Sequence, residues 1–211
     1  MPNGDNGDKR VIGLYGEMAL AMELHARGWQ VYRAYIDEQV DFVIARYYCT
    51  KCKDFSGLEK RAKGKGAFPT DLCQKCKTKS LRFVFRLIQV KASEGVDPSG
   101  PDDARKFSFH AKLRSNVDDR AFYAWIAIFK QGPKKRPKSH FFIFHHKDIE
   151  RFDDLELDSY QKTDNQKTTL RISPDGTVKN RSLKGYDYDA FNSEFRDAFG
   201  KFKDILPIDI A

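Results

Sequence analysis

Glu17, Asp41, Gln89 and Lys91 are the residues whose types suit metal-assisted chemistry and whose positions break an apolar pattern. Glu17 falls at the centre of a helical stripe with Gly13, Leu14, Leu20, Ala21 and Leu24, all within about 60° of it. A carboxylate on a buried face is costly unless it is paired or holds a metal. A structural ion pair, or a helix-start carboxylate favoured by the dipole, is the plainer alternative. Asp41 opens an apolar strand, on the same face as Val43 and Ala45, where a turn aspartate is the alternative. Phe83, Phe85, Leu87, Gln89 and Lys91 share one strand face, which turns polar at Gln89. A strand end reaching solvent would account for that change equally. Brought to one sheet end, two carboxylates and an amide oxygen suit Mg²⁺ or Mn²⁺, hard cations that take oxygen ligands. The lysine can orient a water or stabilise the charge on a phosphorane. Together these residues have the equipment for metal-dependent phosphodiester hydrolysis.

All four cysteines fall in two C-x-x-C pairs, Cys49/Cys52 and Cys73/Cys76, with 20 residues between Cys52 and Cys73. Each pair can aim two thiolates at one tetrahedral ion, so the spacing predicts a closed, structural zinc site rather than a catalytic one. Disulfides or a redox pair are the alternatives. Between the pairs, Lys60, Arg61, Lys63 and Lys65 alternate with glycines. The module reads either as a clip on a long hairpin or as a nucleic-acid contact whose lysines meet phosphate. The second reading has the charge in its favour. Eleven basic and three acidic residues lie between Cys49 and Arg86, which accounts for the whole formal excess of +8.

The elements that must position these groups follow from periodicity. Met1–Lys9 reads as a flexible leader, and Gly13–Arg27 as a helix ended by Gly28. Trp29–Tyr35, Asp41–Ala45 and Arg82–Lys91 read as strands, with Ala92–Arg105 a loop and Phe107–Arg114 a short helix. Ala121–Phe129 and His140–Phe144 read as a hairpin joined by a basic loop. Thr168–Ile172 reads as a strand before a Pro174-Asp175-Gly176 turn. Asp189–Lys203 reads as one amphipathic helix with Phe191, Phe195, Phe199 and Phe202 on a single face. His140, His145 and His146 lack a pattern that would suggest a second metal site.

With 211 residues, 40% hydrophobic and 17 Phe, the chain can build a core and is not a disordered or low-complexity protein. No apolar run approaches the roughly 18 residues of a membrane helix. The polar N-terminal stretch lacks a hydrophobic signal region. The expectation is a cytoplasmic protein with no membrane partner.

Gly16-Glu17, Gly28-Trp29-Gln30-Val31, Asp41-Phe42-Val43 and Ile88-Gln89-Val90-Lys91-Ala92-Ser93 together resemble the PD-(D/E)xK nuclease superfamily. The likeness is to its D…QxK branch, which includes methylation-directed restriction nucleases. The helix glutamate resembles that of archaeal Holliday-junction resolvases. The resemblance covers Gly13–Lys91 and, more loosely, Ala121–Phe129. It implies an α/β (α+β) restriction-endonuclease-like core: a helix, three antiparallel strands, a helix and a further strand, in a mixed sheet flanked by helices. It makes Asp41 the principal metal carboxylate, Glu17 a second ligand and Lys91 the catalytic lysine. Gln89 stands where many members carry Asp or Glu.

The organisation expected is a leader over 1–9 and a nuclease-like domain over 10–211, interrupted over 47–80 by the zinc-binding insertion. The function expected is Mg²⁺-dependent endonucleolytic cleavage of DNA, double-stranded by preference, in restriction, defence or repair. Cutting both strands would imply a homodimer. The alternatives are a catalytically degenerate nuclease fold acting as a zinc-containing nucleic-acid-binding module, and an RNA-binding or processing protein.

Overall fold

A computed structural model of the protein describes residues 5–34, 40–56, 72–73, 75–96, 103–110, 118–130, 136–149, 167–179 and 188–210. The first element is a helix, α1 (Asp5–Ala26). It begins eight residues before the expected start, inside the stretch read as a leader. Glycines at 4 and 7 in the sequence hide this start. After Gly28, whose φ of 82° reverses the chain, come β1 (Gln30–Arg33), β2 (Phe42–Cys49), β3 (Asp54–Ser56) and the 14-residue β4 (Leu81–Glu94). Then follow β5 (Arg105–His110), β6 (Ala121–Phe129), β7 (Lys138–His145) and β8 (Lys167–Ile172). A second helix, α2 (Tyr188–Phe195), precedes a 3₁₀ turn (Phe199–Lys203) and a short helix (Pro207–Ile210). No described helix is long and apolar enough to cross a membrane.

The fold is α+β. A six-stranded mixed sheet runs β1-β2-β4-β6-β7, with β3 beside β1 on the outer edge of β2. Neighbours are antiparallel except β4 and β6, which run parallel. Phe42, Ile44, Ile88, Phe122, Ala124 and Ile143 face α1 and bury Leu20 and Leu24. Tyr123, Trp125, Phe142 and Phe144 face the other way, onto the two-stranded β5–β8 sheet and α2.

Three expectations change. Residues 107–110 form a strand, not a helix: Phe107 and Phe109 alternate inward against Lys106 and Ser108, a period of two. The described part of the β4-to-β6 crossover is therefore β5, where the resemblance implied a helix. Residues 111–117 lie outside the described set. The four C-terminal phenylalanines do not share one helix face. The helix stops at Phe195, Asp197 takes φ 50°, and its N–H donates to the Phe141 carbonyl at 2.7 Å. The chain thereby rounds the edge strand β7. Phe191 and Phe195 enter one core layer, and Phe199 and Phe202 enter the other. A chain crossing there also blunts the sheet edge.

The C-terminus is tied to the sheet by charge. Arg86, fully buried on β4, donates to both carboxylate oxygens of Asp209 at 2.9 and 2.7 Å and to the Asp204 carbonyl at 2.6 Å.

Candidate active site and cysteine centre

The first group of candidate residues collects where α1 crosses the ends of β2 and β4. Gly16 makes that crossing close. A Cβ at this position would overlap the Ala92 methyl and stand 3.5 Å from Ile126 Cδ1. The helix backbone therefore rests on β4, and the next residue, Glu17, is delivered to the sheet end. The buried line of α1 is Gly16, Leu20 and Leu24, while Leu14 is exposed. Glu17 is thus at the margin of the apolar stripe rather than at its centre, with its side chain 20% exposed.

Asp41 lies one step past the last β2–β4 pair, Phe42 opposite Ile88. Its N–H donates to the Ile88 carbonyl at 2.9 Å, and its Oδ2 accepts the Val90 N–H at 2.6 Å. One carboxylate oxygen is thus fixed across β4, between Gln89 and Lys91. Strand alternation puts those two residues on one face and Val90 on the other, against α1. Gln89 is 8% exposed, and its Oε1 is buried with no hydrogen-bond partner among the described residues. Such an acceptor is costly to leave unmet.

Electrostatics ties the group together. Burial raises the Glu17 carboxyl above its ordinary range, and the nearby Asp41 charge adds to this. The Arg33 guanidinium and the Lys91 ammonium oppose it. Asp41 and Lys91 therefore lie near enough to act on Glu17, and Gln89 stands across from Asp41 on β4. Arg33 Nη2 lies 3.1 Å from Glu17 Oε2. This partner escaped the sequence reading, because an arginine at the end of a short edge strand carries no pattern of its own. The Val90 N–H that holds Asp41 has no side-chain signature at all. The oxygen donors present (the Glu17 carboxylate, Asp41 Oδ1 and the orphaned Gln89 Oε1) fit a hard divalent cation.

The second group stands at the opposite end of the same ladder, where Cys49 on β2 pairs with Leu81 on β4. The Sγ atoms of Cys49, Cys52, Cys73 and Cys76 all lie within 4.8 Å of one another, and none is in a disulfide. Cys49 and Cys76 are 3.6 Å apart, and Cys52 and Cys73 are 3.8 Å apart. A tetrahedral ion with Zn–S bonds of about 2.3 Å needs edges of about 3.8 Å. The two C-x-x-C turns are built alike. Lys53 and Lys77, each directly after its second cysteine, both take a left-handed φ, 52° and 56°. The Thr78 hydroxyl, 3.0 Å from Cys76 Sγ, holds that thiol down at about 6. Cys52, hydrogen-bonded to Cys76, is pushed up to about 12. Such crowded thiols could hold zinc, which would replace their shared protons. Among the described residues this is the one cluster of three or more His, Cys, Asp or Glu ligands arranged for a metal. Lys60, Arg61, Lys63 and Lys65 lie outside the described residues.

No family model matches this chain, and no curated protein is significantly similar. Among solved structures, the bacterial homing endonuclease I-Ssp6803I is similar over 92% of this chain and 90% of its own. The TM-score is 0.41 and the identity 11%. A likeness of that size bears on neither activity nor site.

Proposed function

We propose that this protein is a metal-dependent nuclease of PD-(D/E)xK type that hydrolyses phosphodiester bonds in DNA. One observation carries the reading: the Asp41 carboxylate is held by the Val90 N–H, between Gln89, whose buried Oε1 lacks a partner among the described residues, and Lys91. Glu17, Asp41 and Gln89 would hold Mg²⁺ or Mn²⁺, which when bound supplies Lewis-acid polarisation of the phosphate and of a water. Asp41 is pinned through Oδ2 by the Val90 amide, which leaves Oδ1 for the ion. Among the described residues Lys91 has no hydrogen-bond or ion-pair partner, so its ammonium is available to the charge that grows on the phosphate oxygens. The four cysteines would hold one structural zinc. Lys60, Arg61, Lys63 and Lys65 would contact duplex phosphates.

Cleavage of supercoiled plasmid with and without Mg²⁺ or Mn²⁺ tests the reading. Asp41→Asn and Lys91→Ala are each expected to cost on the order of a hundredfold or more in single-turnover rate. Equal nicking without added metal, or by the variants, refutes it.

A second reading has its own observation. The Arg33 guanidinium occupies the Glu17 carboxylate, and an amide stands where many relatives would carry an acid. Both suit a degenerate centre in a protein that binds without cutting. DNA binding with no cleavage under any divalent cation would favour it.

A further inference from the structure

We infer that the β1–β2–β4 half of the central sheet, on its face opposite α1, is a stacking surface for an unpaired nucleic-acid strand. It would lead from the cysteine module to the Asp41–Lys91 site. On the face opposite α1, the β5–β8 sheet and α2 cover the β6–β7 half, burying Trp125, Phe142 and Phe144. Over β1, β2 and the first half of β4 the same face is only partly covered, with Ala45 buried and Val43, Tyr47, Phe85 and Leu87 half-buried; β5 reaches the far end of β4, where the Ser108 N–H donates to Ser93 Oγ at 3.1 Å. The side chains of this face form three rows across the strands: Tyr47 with Phe83, Ala45 with Phe85, and Tyr32 with Val43 and Leu87. Phe83 is 52% exposed and Tyr32 is 51% exposed. The Tyr47 and Phe83 rings meet edge-on at 5.4 Å, which leaves ring surface toward solvent. Two rings about half exposed on one sheet face, with a third, half-buried ring between them, suit a binding surface on a charged protein.

Its surroundings select the partner. The rows contain no acidic residue, and Asp41 stands only at their end. Lys51, Lys53, Lys77 and Lys79 are exposed around the cysteine end, beside Lys75 paired with Asp54, and Lys91 lies at the other end. The Arg120 guanidinium, paired with Asp118, sits 4.2 Å over the Phe85 ring. Aromatic rings between cations match a chain of flat bases on an anionic backbone. Duplex bases offer no faces to such rings, because they stack on one another, whereas unpaired bases do. The inference deepens the nuclease reading by naming unpaired segments as substrate. It rests on that reading for cleavage alone, and not for binding.

Anisotropy of a labelled 12-nucleotide oligo(dT), against a duplex of equal phosphate number in magnesium-free buffer, tests it. Phe83→Ala and Tyr32→Ala are each expected to weaken oligo(dT) binding about five- to a hundredfold. Their effect on the duplex should stay below about twofold. Phe83→Leu keeps apolar bulk without a ring, and it should weaken the single strand as well. The inference is overturned if Phe83→Leu binds like the wild type. It is also overturned if single strand and duplex bind alike, or if Phe83→Ala only turns a dimer into a monomer in sedimentation. Ring-dependent strand binding without any cleavage would sink the nuclease reading and leave this one standing. Cleavage indifferent to the rings would do the opposite.

Discussion

Gly16→Ala tests how α1 is seated, and its cost can be worked from the packing. The added methyl overlaps the Ala92 methyl, and the Ile126 side chain closes the space at 3.5 Å. Restoring a carbon–carbon contact of about 3.5–4.0 Å moves the helix off β4 by about 1 Å. Overpacking of this kind costs about 1–3 kcal/mol, while alanine's better helix propensity returns about 1 kcal/mol. The expected net loss is about 1 kcal/mol, or about 2–4 °C in Tm for a chain of this size. Glu17 moves with the helix, and a misplacement of about 1 Å costs on the order of a hundredfold in cleavage. Ala92→Gly alone should lose about 1 kcal/mol as a glycine in a strand. Combined with Gly16→Ala, it removes the overlap, so the double variant should show a favourable coupling of about 1 kcal/mol or more and regain cleavage. Urea unfolding of the four proteins, with single-turnover cleavage beside it, measures both. A Gly16→Ala protein more stable than the wild type, with additive double-variant energies, would show that α1 is not seated by this contact.

Three further outcomes are expected. Burial and Asp41 raise the Glu17 carboxyl, so folding favours its neutral form, and its ionised form weighs against the fold above that raised pKa. Glu17→Gln should therefore raise metal-free stability at pH 7 and lose this advantage as pH falls through the carboxylate range, as read by urea unfolding at pH 7 and pH 4. Added Mg²⁺ should raise the Tm of the wild type more than that of the variant. One zinc per chain should co-purify and be lost in Cys73→Ser, as measured by elemental analysis of reduced protein. Asp209→Ala strands the fully buried Arg86 guanidinium and should cost about 3–5 kcal/mol in urea unfolding, while an Arg86→Met/Asp209→Leu pair should recover most of that.

Period and chemistry were legible where local pattern decides the outcome. The β6–β7 hairpin, the long β4 and the paired cysteines all carry their signal within a few residues. Asp41, Gln89 and Lys91 stand out because each breaks an apolar strand pattern, whereas Glu17 sits beside the buried line of Gly16, Leu20 and Leu24 and not at the centre of an apolar stripe. The misreadings have a common cause in tertiary context. Phe107 and Phe109 suit either a helix or a strand until a second sheet supplies a partner for β5. Phe191 to Phe202 repeat as one helix face, yet the edge strand β7 takes the Asp197 amide and divides them between two layers. Arg33 joins Glu17 only because β1 pairs with β2 in a register that no short-range signal specifies.

The β2–β4 ladder pairs eight residues without interruption, from Cys49 opposite Leu81 to Phe42 opposite Ile88. Asp41 lies beyond one end of it and the four sulfurs close the other, about 27 Å away along the strand. Side-chain direction in a strand has a period of two, so a slip by one residue would turn Gln89 and Lys91 toward α1 and Val90 away from it. A slipped ladder would also carry Cys49 out of step with Cys73 and Cys76, which lie just ahead of β4 in the chain. With the ion proposed for these sulfurs, only one alignment closes the tetrahedron. Metal capture would then select the register during folding, and the cysteine end would act as an assembly gauge for a carboxylate site that it never touches.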